Sequence, residues 1–164
     1  MNIDFNEAAE ILKNCDNVYI LIHQSPDGDC IGSGTALYHM LRYMGKRARV
    51  VCSDEIPKRY AFMQEGYIDE EFTPEFIIAS DVADIKLLGR YSEIYGDRVD
   101  LCIDHHISNT GYAAKTLVRP DASAACEVVY ELIKILGIPA DEHITTCIYT
   151  GIATDTGCFK YENT

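Results

Sequence analysis

Positive charge is scarce in this sequence: lysine and arginine total 14 against 26 aspartates and glutamates, a formal net charge of −12. Phosphate neutralisation by basic side chains supplies most non-specific affinity for duplex DNA, so the balance argues against a protein that grips a duplex through a basic surface. Long apolar runs are also lacking. No stretch approaches the roughly 20 residues that span a bilayer, and the acidic start, Met1 to Glu7, is unlike the basic and then apolar start of a secretory signal. The expectation is a soluble, cytoplasmic protein with no membrane partner. The seven cysteines (Cys15, Cys30, Cys52, Cys102, Cys126, Cys147 and Cys158) are odd in number and scattered, with no Cys-x-x-Cys pair. That disfavours structural zinc and redox chemistry and leaves reduced, mostly buried thiols. There is no internal repeat, no low-complexity tract and no linker rich in Gly, Ser or Pro. At 164 residues and 48% hydrophobic content, residues 1–164 are expected to form one domain with a sizeable core.

What is present reads as alternating strands and helices. Asp4 with Glu7 three residues on, followed by apolar residues at helical spacing, predicts a capped helix over Asp4 to Cys15. Val18 to Ile22 is an apolar run of strand length, broken by a turn-rich loop, after which Ile31 to Met44 predicts a helix stopped at Gly45. Further strands are predicted at Arg47 to Cys52, Phe76 to Ser80, Val99 to Ile103 and Thr116 to Val118. Helices are predicted at Lys58 to Gln64, Asp84 to Leu88, Ala122 to Leu136 and Asp141 to Thr154. The acidic stretch Tyr67 to Pro74 reads as a solvated connection. Apolar strands without polar alternation are what doubly covered strands show, so the predicted fold is α/β, a doubly wound, mainly parallel sheet with helices on both faces.

In such a sheet, ligands bind beyond the carboxyl ends of the strands. Three predicted strands run into acidic or imidazole groups there: the first into His23, Asp27 and Asp29, the third into Asp81, the fourth into Asp104, His105 and His106. Carboxylates sharing a cleft raise one another's pKa unless a cation is present. Carboxylates mixed with imidazoles favour manganese, cobalt or iron, with manganese first. Two such ions about 3.5–4 Å apart suit in-line displacement at phosphorus, so phosphoester hydrolysis is the expected chemistry.

These segments resemble the DHH phosphoesterase family over nearly the whole chain. The first motif is His23-Gln24-Ser25-Pro26-Asp27-Gly28-Asp29 followed by Ile31-Gly32-Ser33, the second Asp81, the third Asp104-His105-His106, and the fourth Thr154-Asp155-Thr156-Gly157. All four in order make a specific signal. The resemblance implies that His23, Asp27, Asp29, Asp81, His105 and Asp155 ligate two metal ions, with Asp81 bridging them. It places His106 toward the substrate phosphate as charge stabiliser or proton donor, and Asp104 as the group that orients the neighbouring histidine. Asp155 comes from the family alone; its own surroundings read as a helix end.

Asp-Gly-Asp in the first motif differs from the Asp-Thr-Asp of family-II inorganic pyrophosphatases and from the Asp-x-Asp-Gly of RecJ-like exonucleases. The oligoribonuclease and bisphosphate-nucleotide phosphatase branch therefore fits best. It implies a hydrolase acting on short RNA from an end, on bisphosphate nucleotides, or on linear and cyclic dinucleotides. The alternatives are a manganese-dependent pyrophosphatase or polyphosphatase, and a non-catalytic nucleotide-binding module, which would be expected to have lost ligands. The family also implies a second, smaller substrate-binding domain that these 164 residues do not include, so the chain is read as the metal-binding part. Oligomeric state is left open, a homodimer included.

Blander readings compete at several positions. Pro26-Asp27-Gly28-Asp29 alone would be a turn, and Gly28, Gly32, Ser33 and Gly34 suit a phosphate cradle and close packing equally. His39, His143 and the helix-start residues Asp121, Ser123 and Glu127 are given structural roles only. Arg42, Arg47, Arg49, Lys58 and Arg59 could rim an RNA site but read better as solvated surface.

Overall fold

The computed structural model describes residues 1–163. In chain order the elements are α1 (Phe5–Asn14), β1 (Val18–Leu21), α2 (Gly28–Tyr43), β2 (Ala48–Val51), β3 (Phe76–Ser80), α3 (Tyr91–Tyr95), β4 (Leu101–Asp104), β5 (Lys115–Val118), α4 (Ala125–Ile135) and α5 (Glu142–Asp155). Three 3-10 segments, Lys58–Gln64, Ile85–Leu88 and Gly96–Arg98, fill the connections. The five strands form one sheet in the order β2-β1-β3-β4-β5, every pair parallel.

That order explains the layers. From β1 the chain steps outward to β2, then returns to the other side of β1 and proceeds away through β3, β4 and β5. Right-handed crossovers moving in opposite directions put their connections on opposite faces. The connection β1-α2-β2 lands on one face, where α1, α4 and α5 join it over a large core that includes Leu12, Ile20, Leu37, Ile78, Ile103, Val129 and Ile148. The connections β3 to β4 and β4 to β5 land on the other face, where α3 and short segments cover a smaller core around Tyr19, Leu21, Ile77, Val82 and Leu88. Both faces are covered, to unequal depth. The direction reverses between β1 and β3, the switch point where strand ends diverge and a ligand crevice opens.

Element positions differ from the sequence reading in instructive ways. The helix expected from Ile31 begins at Gly28, because the Asp27 side chain caps it by accepting the amides of Asp29 and Cys30, each at 3.0 Å. The helix expected from Ala122 begins at Ala125 with Ala124 at its N-cap and no side-chain cap of its own. The short helix at Tyr91–Tyr95 was not expected, and Lys58–Gln64 and Ile85–Leu88 are 3-10 rather than α. The glycines of α2 serve packing: a Cβ on Gly28 or Gly32 would collide with Thr154 or with the Cys147 carbonyl of α5, and one on Gly34 with Ile22. The close approach of α2 and α5 sets the N-terminus of one beside the C-terminus of the other.

The acidic stretch after Tyr67 is not a free connection but a strap along the edge strand. The Tyr67 hydroxyl accepts the Val50 amide at 3.1 Å and donates to the Val50 carbonyl at 3.2 Å, closing the open edge of β2. Arg47 pairs with Glu70 and Arg49 with Asp69, while the Tyr19 hydroxyl donates to the Phe72 carbonyl. Two of the arginines considered for an RNA rim are thereby engaged by carboxylates. No helix among the described residues is long and apolar enough to cross a membrane.

Candidate metal centre

Each element meeting at the switch point delivers one part of the centre. His23 follows β1, Asp27 and Asp29 open α2, Asp81 follows β3, Asp104 closes β4 with His105 and His106 behind it, and Asp155 ends α5. Asp81 sits in the left-handed region at φ 59°, a conformation that strains a non-glycine residue by about 1–3 kcal/mol. Its amide is tied to the Ile103 carbonyl of β4 at 2.9 Å. The chain accepts this strain at the residue that turns into the crevice.

Asp81 is the geometric centre. Its Oδ2 lies 3.7 Å from His23 Nε2, which is itself 3.7 Å from Asp27 Oδ1. Its Oδ1 faces the other way, 3.7 Å from His105 Nε2 and 3.4 Å from His106 Nδ1. His105 Nε2 in turn lies 3.7 Å from Asp155 Oδ2 and 3.9 Å from Asp29 Oδ2. Donor atoms therefore gather into three overlapping groups: His23, Asp27, Cys30 and Asp81; Asp81, His105 and His106; Asp29, His105 and Asp155. All six residues expected as ligands are brought together, and Cys30 joins them unexpectedly.

The electrostatics show what the cluster lacks. Among the described residues, histidines are the only basic groups within ion-pair distance of Asp27, Asp29, Asp81, Asp104 or Asp155. Burial pushes the Asp81 carboxyl well above the ordinary carboxylate value, and the charges of Asp29, Asp27, Asp104 and Asp155 push it further. Burial also raises Asp29 and Asp155. Among the described residues, Asp81 Oδ1 is buried with no hydrogen-bond donor, the kind of orphaned acceptor that costs about 1–3 kcal/mol. Oxygen and imidazole donors around an unsatisfied buried carboxylate fit divalent cations of the manganese type. In the metal-free cluster, burial and the nearby Asp27 and Asp81 push the Cys30 thiol far up.

Two structural devices hold the cluster in shape. Both oxygens of Asp29 are taken by the first amides of α4, Ala125 on Oδ2 at 2.7 Å and Cys126 on Oδ1 at 3.0 Å, so Asp29 of α2 caps α4. Asp104 is fully buried; its Oδ1 accepts the His105 amide and the His106 Nδ1–H at 2.8 Å, and its Oδ2 accepts the Asn109 side-chain amide at 2.6 Å. The histidine that Asp104 orients is therefore His106, while His105 Nδ1 is set by the Ala122 carbonyl at 3.2 Å. The Asp104 hydrogen bond raises the His106 pKa against the opposing effect of burial. Asp27 is held down at about 2: burial opposes, but His23 and the Cys30 and Asp29 amides outweigh it.

Sequence reasoning missed Asn109, which looks like an ordinary turn residue. Its amide does bond the His106 carbonyl in a turn, so the sequence carried no separate signal for its side chain. Residues given structural roles lie elsewhere: Asp121 pairs with Arg119 at the surface, and His39 stacks on His143 with ring centroids 5.1 Å apart. Ser123 and Glu127 bond each other rather than capping α4.

A family model covers most of the chain. The DHH family, N-terminal domain, matches residues 17–152. The chain belongs to the DHH family. This DHH chain is 36% identical over 163 residues to the bifunctional oligoribonuclease and PAP phosphatase NrnA of Thermus thermophilus, covering 95% of itself and 48% of that protein. It is 28% identical to the Bacillus subtilis protein of the same name, covering 96% of itself and 52% of that protein. The chain thus spans about half the length of the curated relatives it matches. Among solved structures, an exopolyphosphatase-related protein from Bacteroides fragilis superposes with a TM-score of 0.87 at 27% identity, covering 97% of this chain and 52% of that one. The Thermus thermophilus RecJ structure in complex with Mn2+ shares the fold, with a TM-score of 0.54 at 15% identity over 93% of this chain and 23% of that one.

Proposed function

We propose that this DHH chain is the metal-holding domain of a cytoplasmic phosphoesterase that uses two divalent ions, manganese foremost. Its substrates on this reading are short oligoribonucleotides, bisphosphate nucleotides, or linear and cyclic dinucleotides. The observation that carries the reading is Asp81, a buried carboxylate whose two oxygens face two different histidine and carboxylate sets and one of which has no donor among the described residues. His23 and Asp27 would hold one ion with Asp81, and Asp29, His105 and Asp155 the other. Divalent ions held there supply positive charge to phosphate oxygens and acidify water.

The chain's own groups do the rest. Asp104 takes the Nδ1–H of His106 and leaves Nε2 as its working atom. His106 is 44% exposed, within reach of a ligand in the crevice. With Nδ1–H fixed on Asp104, Nε2 is the atom that would meet an anionic phosphate oxygen or a departing oxygen, and would donate to it when protonated. Asn109 holds the far oxygen of Asp104 and so keeps the imidazole plane fixed. The names of the Thermus and Bacillus relatives support nucleotide substrates. The likeness to the exopolyphosphatase-related protein favours a second reading, hydrolysis of pyrophosphate or polyphosphate.

The full-length protein, loaded with manganese and offered diadenylate, adenosine 3',5'-bisphosphate and pyrophosphate in parallel, separates the two. Turnover of the nucleotides is expected. Preference for pyrophosphate would transfer the reading to the second, and no turnover of any would overturn both.

A further inference from the structure

Beside the metal centre lies a cleft of about 240 Å³ at the carboxyl end of edge strand β2, between the strap and the turn entering α3. It is coupled to the first motif: the Cys52 thiol, in its wall, donates to the His23 carbonyl at 3.3 Å, and Asp54 accepts the Ser25 amide at 2.7 Å. A group seated there is therefore joined to the metal centre through the short loop that carries His23.

The lining selects the chemistry. Arg49 and Arg90 stand against Asp54 and Asp69, so the walls carry no net charge and do not suit a phosphate. Arg49 is already engaged by Asp69 at 2.7 Å. Arg90 is exposed and, among the described residues, has no carboxylate partner; its guanidinium lies 5.0 Å over the Tyr91 ring. Held over the ring and donating to the Tyr91 hydroxyl at 3.3 Å, the Arg90 guanidinium offers a flat cationic group on which a base can stack, and the amide of Gln64 with the carboxylate of Asp54 offers donor and acceptor to its edge. The volume is below the about 300–1,000 Å³ of pockets for drug-sized ligands, which suits a base rather than a whole nucleotide.

We propose that this cleft receives a nucleobase of the substrate, from the nucleotide flanking the scissile phosphate, stacked on Arg90 and Tyr91. The proposal rests on the phosphoesterase reading and adds a base subsite to it.

The test compares kcat/KM for diadenylate with that for the same dinucleotide carrying an abasic ribose at one end, in the manganese-loaded full-length protein. In wild type the base is expected to raise kcat/KM. In Arg90→Ala and in Arg90→Lys, the advantage of the base should fall about tenfold, the scale of one lost base stack. An advantage unchanged in Arg90→Ala would overturn the subsite while leaving the phosphoesterase reading intact. Full retention in Arg90→Lys would also overturn it, because charge alone would then account for the effect. A wild type that hydrolyses neither substrate would overturn the phosphoesterase reading and the subsite with it.

Discussion

Asp29 and Asp81 are both buried, both raised in pKa by burial and both within reach of His105 Nε2, yet the fold treats them differently. Asp29 stands where α2 meets α4, with both oxygens on amides of α4's first turn, where a negative charge also meets the favourable end of the helix dipole. Asp81 stands at the switch point on a strained backbone, with one oxygen unsatisfied. The first carboxylate does structural work with or without a cation. The second is a burden to the metal-free fold, which is why it identifies the site: folding alone gives no reason to keep it.

The contrast can be broken or sharpened by mutation. Asp81→Asn should lower hydrolysis of a dinucleotide by the full-length protein by more than about 100-fold, beyond the 10–100-fold usual for partners that only orient ligands. Steady-state kinetics at saturating manganese checks this. Asp29→Ala should destabilise the metal-free protein by about 2 kcal/mol, because two buried amides lose their acceptor; denaturant unfolding measures it. Asn109→Ala should lower kcat about tenfold with manganese content retained, since it touches Asp104 rather than any proposed ligand.

Asp81→Asn should have the opposite sign to Asp29→Ala in the metal-free protein, raising its melting temperature by about 2–4 °C for each kcal/mol of relieved repulsion. The smallest effect is on pH dependence. A carboxyl raised in the folded state contributes stability that is present below its ordinary value of 3.8 and is lost as pH rises through the raised value. Metal-free wild type should therefore lose stability as pH climbs from about 4 toward neutrality, and Asp81→Asn should flatten that slope. Asp27 works in the other direction, its contribution fading as pH falls from 3.8 through about 2, weakly because its side chain is 54% exposed.

How much of this was legible in the sequence follows from where each signal resides. Phe76–Ser80 was readable residue for residue, because a buried apolar strand bounded by Asp81 announces both its length and its end. The Asp4 and Glu7 capping box gave α1 for the same reason, a local hydrogen-bond pattern encoded by two residues. The start of α2 was misplaced because Asp27 serves as cap and as part of the acidic cluster, so a segment that looked like a turn is already helix. The start of α4 was misplaced because its acceptor, Asp29, is far away in the chain. The strap was missed because acidic residues that look solvated, Asp69 and Glu70, are held by Arg49 and Arg47, while Tyr19 of β1 bonds the Phe72 carbonyl and the strap's own Tyr67 bonds Val50. Convergence of the motifs could be expected from the sheet rule, and the place of Asp81 between two ligand sets from the family resemblance, but the support from Asn109 depends on packing that no local pattern records.

The most direct test of the central claim is a calorimetric titration of manganese into metal-free wild type and Asp81→Asn side by side. The expected result is about two ions bound per wild-type chain and loss of most of that binding in the variant. Equal binding by the two proteins, or no binding by wild type, would contradict the assignment of this cluster as a two-metal centre built around Asp81.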